Sequence, residues 1–362
     1  MPNNNITEFT SIEVLAQAIK TTLDRPTTKK KIVALYAFNS TGKTRLTNML
    51  SEVESDTIKV LCYNAFFEDM FKWDNEKYIL SFVPSSWIVK LVIEQGLEKD
   101  IIDNFKDIMG SNIEPLFDFK AGEVTFNIVS GVDSGVTNIK ISRSEESMLI
   151  WSIFHTVVKT AIDALSAEQA DRTTSIFNDL KYIIVDDPVS SIDDTKIITM
   201  ATKLIEAIKL YEKNTINFLI TTHHALFYNV LVNSFKRSSE ANFKSYSLSR
   251  GIQAFKLSEQ GDAPFSYHLS VKEIIQNAIA SDTIEKYHFN LFRNLLEKTS
   301  NFLGYSNWSD CILGEKKQEF IRLLNLYSHS KLSDLESREL SNQNKVLLQE
   351  TFNAFITNFK WT

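Results

Sequence analysis

The chain has 362 residues, 43% of them hydrophobic, which suits two domains with sizeable cores better than one. Its formal net charge is -6, from 39 basic and 45 acidic side chains, so bulk charge does not mark a nucleic-acid binder, although a local basic patch is enough to meet phosphates. Cys62 and Cys311 are too few and too far apart for a disulfide framework or a CxxC metal knuckle, no basic segment at the start leads into an apolar run, and no apolar stretch reaches the roughly 20 residues of a membrane span; a cytoplasmic protein without a membrane partner is expected.

In chain order, residues 12–23 read as a helix that Arg25-Pro26 breaks. Lys29, Lys30 and Lys31 form a solvated start to the apolar strand IVALYAF. A β-rich section follows, with IKVLCYNAFF near residue 60, VTFNIV (124–129) and TNIKIS (137–142); the last two alternate as half-buried strands do. Residues 148–165 read as a long, mostly apolar helix. YIIVDD (182–187) and INFLITTHH (216–224) are buried strands with a helix between them. Strands alternating with helices predict a parallel sheet covered on both faces. Beyond GDAPF (261–265) the pattern turns helical, with no strong strand signal and no internal repeat. The expected organisation is an α/β P-loop NTPase domain with a small β lobe over residues 1–262, followed by a mostly α-helical domain over 263–362.

The segment Ala37-Phe38-Asn39-Ser40-Thr41-Gly42-Lys43-Thr44 lies between a predicted strand and a helix and follows the P-loop pattern, with Ala37 in place of the first glycine. In such a loop the N–H groups of Asn39, Ser40, Thr41 and Gly42 and the helix N-terminus cradle phosphates. Lys43 reaches the outer phosphates, and the Thr44 hydroxyl ligates Mg²⁺. Ala accepts positive φ less readily than Gly, so a slightly different loop shape is expected. YIIVDD ends in Asp186, assigned to Mg²⁺, and Asp187, placed to polarise the attacking water, a task more often given to glutamate. PVSSID (188–193) follows. The strand ending Thr221-Thr222-His223 sets an imidazole near the γ-phosphate, and Ile141-Ser142-Arg143-Ser144-Glu145 opens the long helix. Singly these are a turn, a buried strand with capping aspartates and a core histidine; all in this order are not.

Together they resemble the ABC-type ATPase set of P-loop, signature, Mg²⁺-binding strand, D-loop and switch histidine. That resemblance implies a head-to-tail homodimer, or a higher assembly, in which Ser142 of one copy closes over the nucleotide of the other. Arg143 and Ser144 replace two small residues of the usual signature, and the Q-loop role is left unassigned, no glutamine being clearly placed for it. The interval from Lys43 to Ser142 fits a compact β lobe and excludes long coiled-coil arms.

Further stretches, among them YNAFFEDMFKWDN, VDDPVSSIDD, ITTHHALFYNVL, FSYHL, YHFNLFRNLLEKTSNFLGY and SHSKLS, resemble the PrrC-type bacterial anticodon nucleases from about residue 30 to the end. The resemblance implies a catalytic set of Arg293 and Glu297, within RNLLE, and His329, within YSHS. It implies an anticodon-loop tRNA substrate, carrying lysine, cut without a metal to a 2′,3′-cyclic phosphate and a 5′-hydroxyl. GTP, ATP or dTTP with Mg²⁺ at the NTPase site, a type I restriction–modification complex as partner and an antiphage toxin role are implied as well.

The residues are consistent with that chemistry. Such cleavage needs a base, an acid and a cation for the phosphorane. Glu297 and His329 can share the proton transfers, in either order, and Arg293 can hold the phosphate with its planar fork. Phe289, Phe292, Leu296 and Leu303 fall on one helical face, with Arg293 and Glu297 neighbours beside it at i and i+4. The plain alternative is a helix salt bridge. Arg322 and His329 make an R-x6-H spacing that resembles HEPN-type ribonucleases, an all-α superfamily. His268 and His288 read as structural. Asp262 is either a reader of the wobble nucleotide, as the resemblance implies, or a turn aspartate beside Gly261. Two rival functions stand beside the nuclease: an NTPase acting in DNA repair or restriction without RNase activity, and a non-enzymatic regulatory subunit, to which Asp187 points.

Overall fold

A computed structural model of the chain describes residues 6–51, 58–128, 137–189, 192–251, 254–260, 266–314, 316–328 and 340–359. The chain divides into two compact units, Met1–Asp262 and Ala263–Thr362. The segment 261–265, where the composition changes, lies outside the described residues.

The first unit opens with β1 (Ile6–Phe9), α1 (Ile12–Asp24), β2 (Lys30–Ala37), α2 (Lys43–Ser51), β3 (Val60–Tyr63) and α3 (Ala65–Glu68). A lobe follows, with β4 (Phe71–Asp74), β5 (Ile79–Phe82), α4 (Trp87–Glu94), α5 (Glu98–Met109), β6 (Ile113–Asp118) and β7 (Glu123–Ile128). The unit closes with α6 (Arg143–Ser166), β8 (Tyr182–Asp186), α7 (Asp194–Leu210), β9 (Asn217–Thr222), α8 (Ala225–Phe235), β10 (Ala241–Arg250) and β11 (Phe255–Glu259).

Its main sheet has the order β1-β11-β10-β2-β9-β8-β3, and the lobe sheet the order β4-β5-β7-β6. The inner strands read as continuous apolar runs because both faces are covered. Ile32, Ile183, Val185, Phe218 and Ile220 face a core shared with α4 to α8. Their neighbours Val33, Leu35, Ile184 and Leu219 face a second core built with α1 and α2. The period-2 alternation of a strand sends successive side chains into different cores.

Three sequence expectations need correction. The sheet is mixed: β10, β2, β9, β8 and β3 run parallel, β11 runs antiparallel to β10, and β1 pairs antiparallel with β11. The link from Arg250 to Phe255 is too short for a crossover helix, so β11 must return antiparallel. Residues 137–142 are not a strand; Asn138 takes a left-handed φ of 54°, and the Ile139 N–H reaches Phe126 O at 2.9 Å before α6 begins. Lys30 is not solvated: it is 5% exposed, and its Nζ donates to Lys209 O, capping the C-terminal end of α7.

Among the described residues α6 is the one helix long and apolar enough to cross a membrane, and most of it is buried inside the fold. It serves as the central helix of the first core.

The second unit contains α9 (Ser266–Ala280), α10 (Lys286–Leu303), a short 3-10 turn (Trp308–Cys311), α11 (Lys317–Ser328) and α12 (Asn342–Asn358), with no strand among its described residues. Phe289, Phe292, Leu295 and Leu296 of α10 are fully buried. The Phe292 ring meets Phe320 of α11 at 5.6 Å and Phe352 and Phe355 of α12 at 5.2 and 5.3 Å. Leu303, expected on this face, is 43% exposed. The buried positions of α10 end at Ser300, and the last turn clears the packed bundle before the left-handed cap at Gly304.

Candidate functional site

In the first unit, β2 delivers the loop 38–42 to the N-terminus of α2. Positive φ falls on Ser40 (63°) and Gly42 (107°), and Ala37 remains an ordinary strand residue. The alanine therefore costs the loop no strain, contrary to the expected change of shape. Glycine is needed at Gly42 for its backbone angle, since a Cβ there would meet only Ile12 and Phe255 at 3.6 and 3.7 Å. The Thr41 hydroxyl donates to Phe38 O at 2.7 Å and tightens the turn.

Lys43 is 5% exposed and lies folded back on its own loop. Its Nζ donates to Ala37 O at 3.0 Å, Phe38 O at 3.1 Å and Asn39 Oδ1 at 3.4 Å, and pairs with Asp187 Oδ2 at 3.2 Å. Asp187 stands just past β8 with φ 52°, a left-handed turn that aims its carboxylate at both Lys43 and His223. Its Oδ1 accepts from the His223 backbone N–H at 3.0 Å and from the ring Nδ1 at 2.6 Å. Burial alone would raise the Asp187 pKa, but the His223 hydrogen bond and the Lys43 charge outweigh it, and the carboxyl titrates below the usual range. With Asp187 ionised, the His223 ring donates to it from Nδ1.

Asp186 ends β8 at 4% exposure, and its Oδ1 accepts from the Thr221 hydroxyl at 2.5 Å. Burial raises its pKa, against the opposing hydrogen bonds from Thr221, Thr44 and Thr47. Thr44 opens α2 right after Lys43, and its hydroxyl is among the groups that hold the Asp186 pKa down. Two hard oxygen donors beside a phosphate cradle fit Mg²⁺, which takes one or two protein oxygens and completes its octahedron with phosphate oxygens and water.

Ser142 is the N-cap of α6. It accepts from the Glu145 N–H at 3.3 Å, and Glu145 returns a bond to the Ser142 N–H at 2.5 Å, a reciprocal capping box. Ser142 and Arg143 line a cleft of about 520 Å³ with Glu68, Lys72, Trp73 and Lys140. No residue of the 37–44 loop lines it. Asp193 caps α7, accepting the Lys196 N–H at 3.0 Å. Ser190 and Ser191 lie outside the described residues.

In the second unit, Arg293 and Glu297 are brought together: Nε donates to Glu297 Oε1 at 2.8 Å. The guanidinium also lies over the Trp308 ring at 5.0 Å, and its Nη1 donates to Asn325 Oδ1 at 3.3 Å. Arg322 is exposed on α11, three residues before Asn325 and so on the same helical face. His288 caps α10, its Nδ1 accepting the Glu285 N–H at 2.9 Å, and burial pushes its pKa down to about 4. His329 and Asp262 lie outside the described residues, as does the side chain of His268.

An AAA domain family matches residues 168–359. An Escherichia coli anticodon nuclease is 37% identical, over 84% of this chain and 83% of its own length. A match of that breadth exceeds the first unit alone. The chain belongs to the PrrC-type anticodon nuclease family. In this family member the P-loop, Asp186, Asp187 and His223 converge in one unit, and Arg293 meets Glu297 in the other. Thr221, Asn325 and Trp308 had no assigned role from sequence. Thr221 was open to discovery as the strand residue just before Thr222-His223, whereas Asn325 and Trp308 reach Arg293 only through tertiary packing.

Proposed function

We propose that the chain is a nucleotide-controlled endoribonuclease that cuts tRNA in its anticodon loop, that of lysine tRNA, as an antiphage toxin. The first unit is the NTPase control module and the second, a HEPN-like helical domain, is the nuclease. Likeness to an anticodon nuclease across most of both chains, combined with the Arg293–Glu297 pair at 2.8 Å, carries this reading.

The RNA 2′-hydroxyl attacks the adjacent phosphorus, forming the 2′-O–P bond as the P–O5′ bond breaks. Glu297 and His329 divide the work: one takes the 2′-hydroxyl proton and the other gives a proton to O5′. Arg293 meets the charge that builds on the phosphorane with its planar fork. The products are a 2′,3′-cyclic phosphate and a 5′-hydroxyl, and no metal is needed at this site. In the first unit, residues 39–42 cradle the phosphates of GTP, ATP or dTTP. Thr44 and Asp186 hold Mg²⁺, which neutralises phosphate charge when bound. Lys43 must leave its loop oxygens and Asp187 to reach those phosphates, so nucleotide arrival changes the Lys43–Asp187–His223 contacts. A head-to-tail homodimer brings Ser142 of a second copy over the nucleotide, and a type I restriction–modification complex holds the nuclease silent. Asp262 reads the wobble nucleotide.

The test is cleavage of total bacterial tRNA by the full chain with GTP, beside His329→Ala, with new 5′-hydroxyl ends mapped. Cuts confined to one anticodon loop and absent from the variant support the proposal. Intact tRNA under every nucleotide, with NTP still hydrolysed, overturns it in favour of an NTPase without RNase activity.

A further inference from the structure

Two side chains from outside α10 hold Arg293, and neither follows from the i, i+4 spacing. Trp308, in the 3-10 turn, has the guanidinium carbon over its ring at 5.0 Å, and Asn325 of α11 accepts from Nη1. We propose that Trp308 and Asn325 are positioning residues for RNA cleavage, which fix the plane and direction of the Arg293 guanidinium before it meets the scissile phosphate; this rests on the nuclease reading above.

A guanidinium recognises phosphate through the edge of its plane, so its orientation matters as much as its charge. Glu297 fixes Nε alone, and one hydrogen bond leaves the group free to tilt about it. Asn325 adds a second in-plane contact at Nη1 and sets the rotation. The Trp308 ring lies beneath the guanidinium carbon at 5.0 Å and restricts its movement, a cation–π contact that arginine makes well. The three supports come from three elements, as a prearranged electrostatic group requires.

A helix salt bridge on its own looks different. An exposed i, i+4 pair contributes little and needs no third partner. Here the cation is the more enclosed member, at 21% side-chain exposure against 42% for Glu297. The turn that carries Trp308 is itself anchored. Cys311 at its end is fully buried, and Asn307 Oδ1 caps its start by accepting the Ser309 N–H at 3.3 Å. In the sequence Asn325 stands four residues before His329, the third member of the proposed cleavage set.

The experiment measures kcat and KM for cleavage of an anticodon stem-loop RNA by the full chain with NTP. Trp308→Leu and Asn325→Ala lower kcat about tenfold to a hundredfold, the scale of a misplaced catalytic group, and change KM less than about twofold. Trp308→Phe, which keeps a ring face, recovers most of kcat. In an Arg293→Lys background, whose ammonium has no plane to orient, Trp308→Leu adds less than about a twofold further loss. Losses that multiply in the double variant overturn the inference, because Trp308 would then act independently of Arg293. So does a raised KM at unchanged kcat, which would make Trp308 a substrate-binding ring. A wild-type chain that cuts no RNA removes the nuclease reading itself; a wild type that cuts, with both single variants equal to it, removes this inference alone.

Discussion

The cation proposed to meet phosphate is held in opposite ways in the two units. Lys43 is 5% exposed and turned into its own loop, where three loop oxygens and Asp187 satisfy the ammonium. Arg293 is clamped from three elements by Glu297, Asn325 and Trp308, with the fork already oriented. A flexible ammonium with local partners can exchange them for a ligand, which suits a control site. A planar group set by tertiary contacts cannot reorient cheaply, which suits a site that acts once substrate arrives.

The sharpest break in that comparison is to remove each cation. Lys43→Ala should abolish NTP hydrolysis, by about a hundredfold or more in phosphate release, and Arg293→Lys should lower RNA cleavage by a similar factor while hydrolysis continues. Equal effects of both changes on both activities would show one composite site.

The next largest effect concerns the rigidity of the second unit. Phe292 is fully buried among Phe320, Phe352 and Phe355, so Phe292→Ala should cost about 3–5 kcal/mol in that unit, read from its unfolding midpoint in urea. A cost below about 1 kcal/mol would mean that the bundle behind Arg293 is not a fixed support.

The first unit has a pH-sensitive scaffold. His155 on α6 is 3% exposed, and burial lowers its pKa from 6.5 to about 4. Between those values the unfolded chain takes up a proton that the folded chain refuses. Stability should therefore fall as pH drops from 6.5 to about 4, by on the order of 3 kcal/mol, and this component should level off below that. His155→Gln should flatten that slope in denaturation curves taken across the window, and a slope unchanged by the variant would assign it to other groups.

The smallest effect tests the exchange at Lys43. Asp187→Asn keeps the left-handed turn, which asparagine tolerates, but removes the carboxylate that competes with phosphates. NTP should bind about fivefold tighter, about 1 kcal/mol, in a titration of the full chain, while hydrolysis slows. Weaker binding would mean that Asp187 orders the loop and does not compete with the ligand.

Local pattern made much of this molecule legible. The α1 helix, the apolar strands β2, β8 and β9, the P-loop and the carboxylates after β8 are encoded by residues close in sequence, through period, breakers and turn chemistry. The strands β10 and β11 carry mixed polar and apolar residues, and only their partners reveal them as strands. TNIKIS alternates like a strand, yet it forms no ladder: Ile139 bonds to Phe126 O of β7, and the segment serves as the approach to the α6 cap. The spacing of Arg293 and Glu297 made their contact predictable, because i and i+4 are neighbours on any helix. That Trp308 and Asn325 join them, that Thr221 holds Asp186, and that Asp187 bridges Lys43 to His223 were decided by folding alone. Those contacts link residues between 15 and 144 positions apart, counting from Trp308 to Arg293 and from Asp187 to Lys43, and only tertiary packing gives such separations a meeting point.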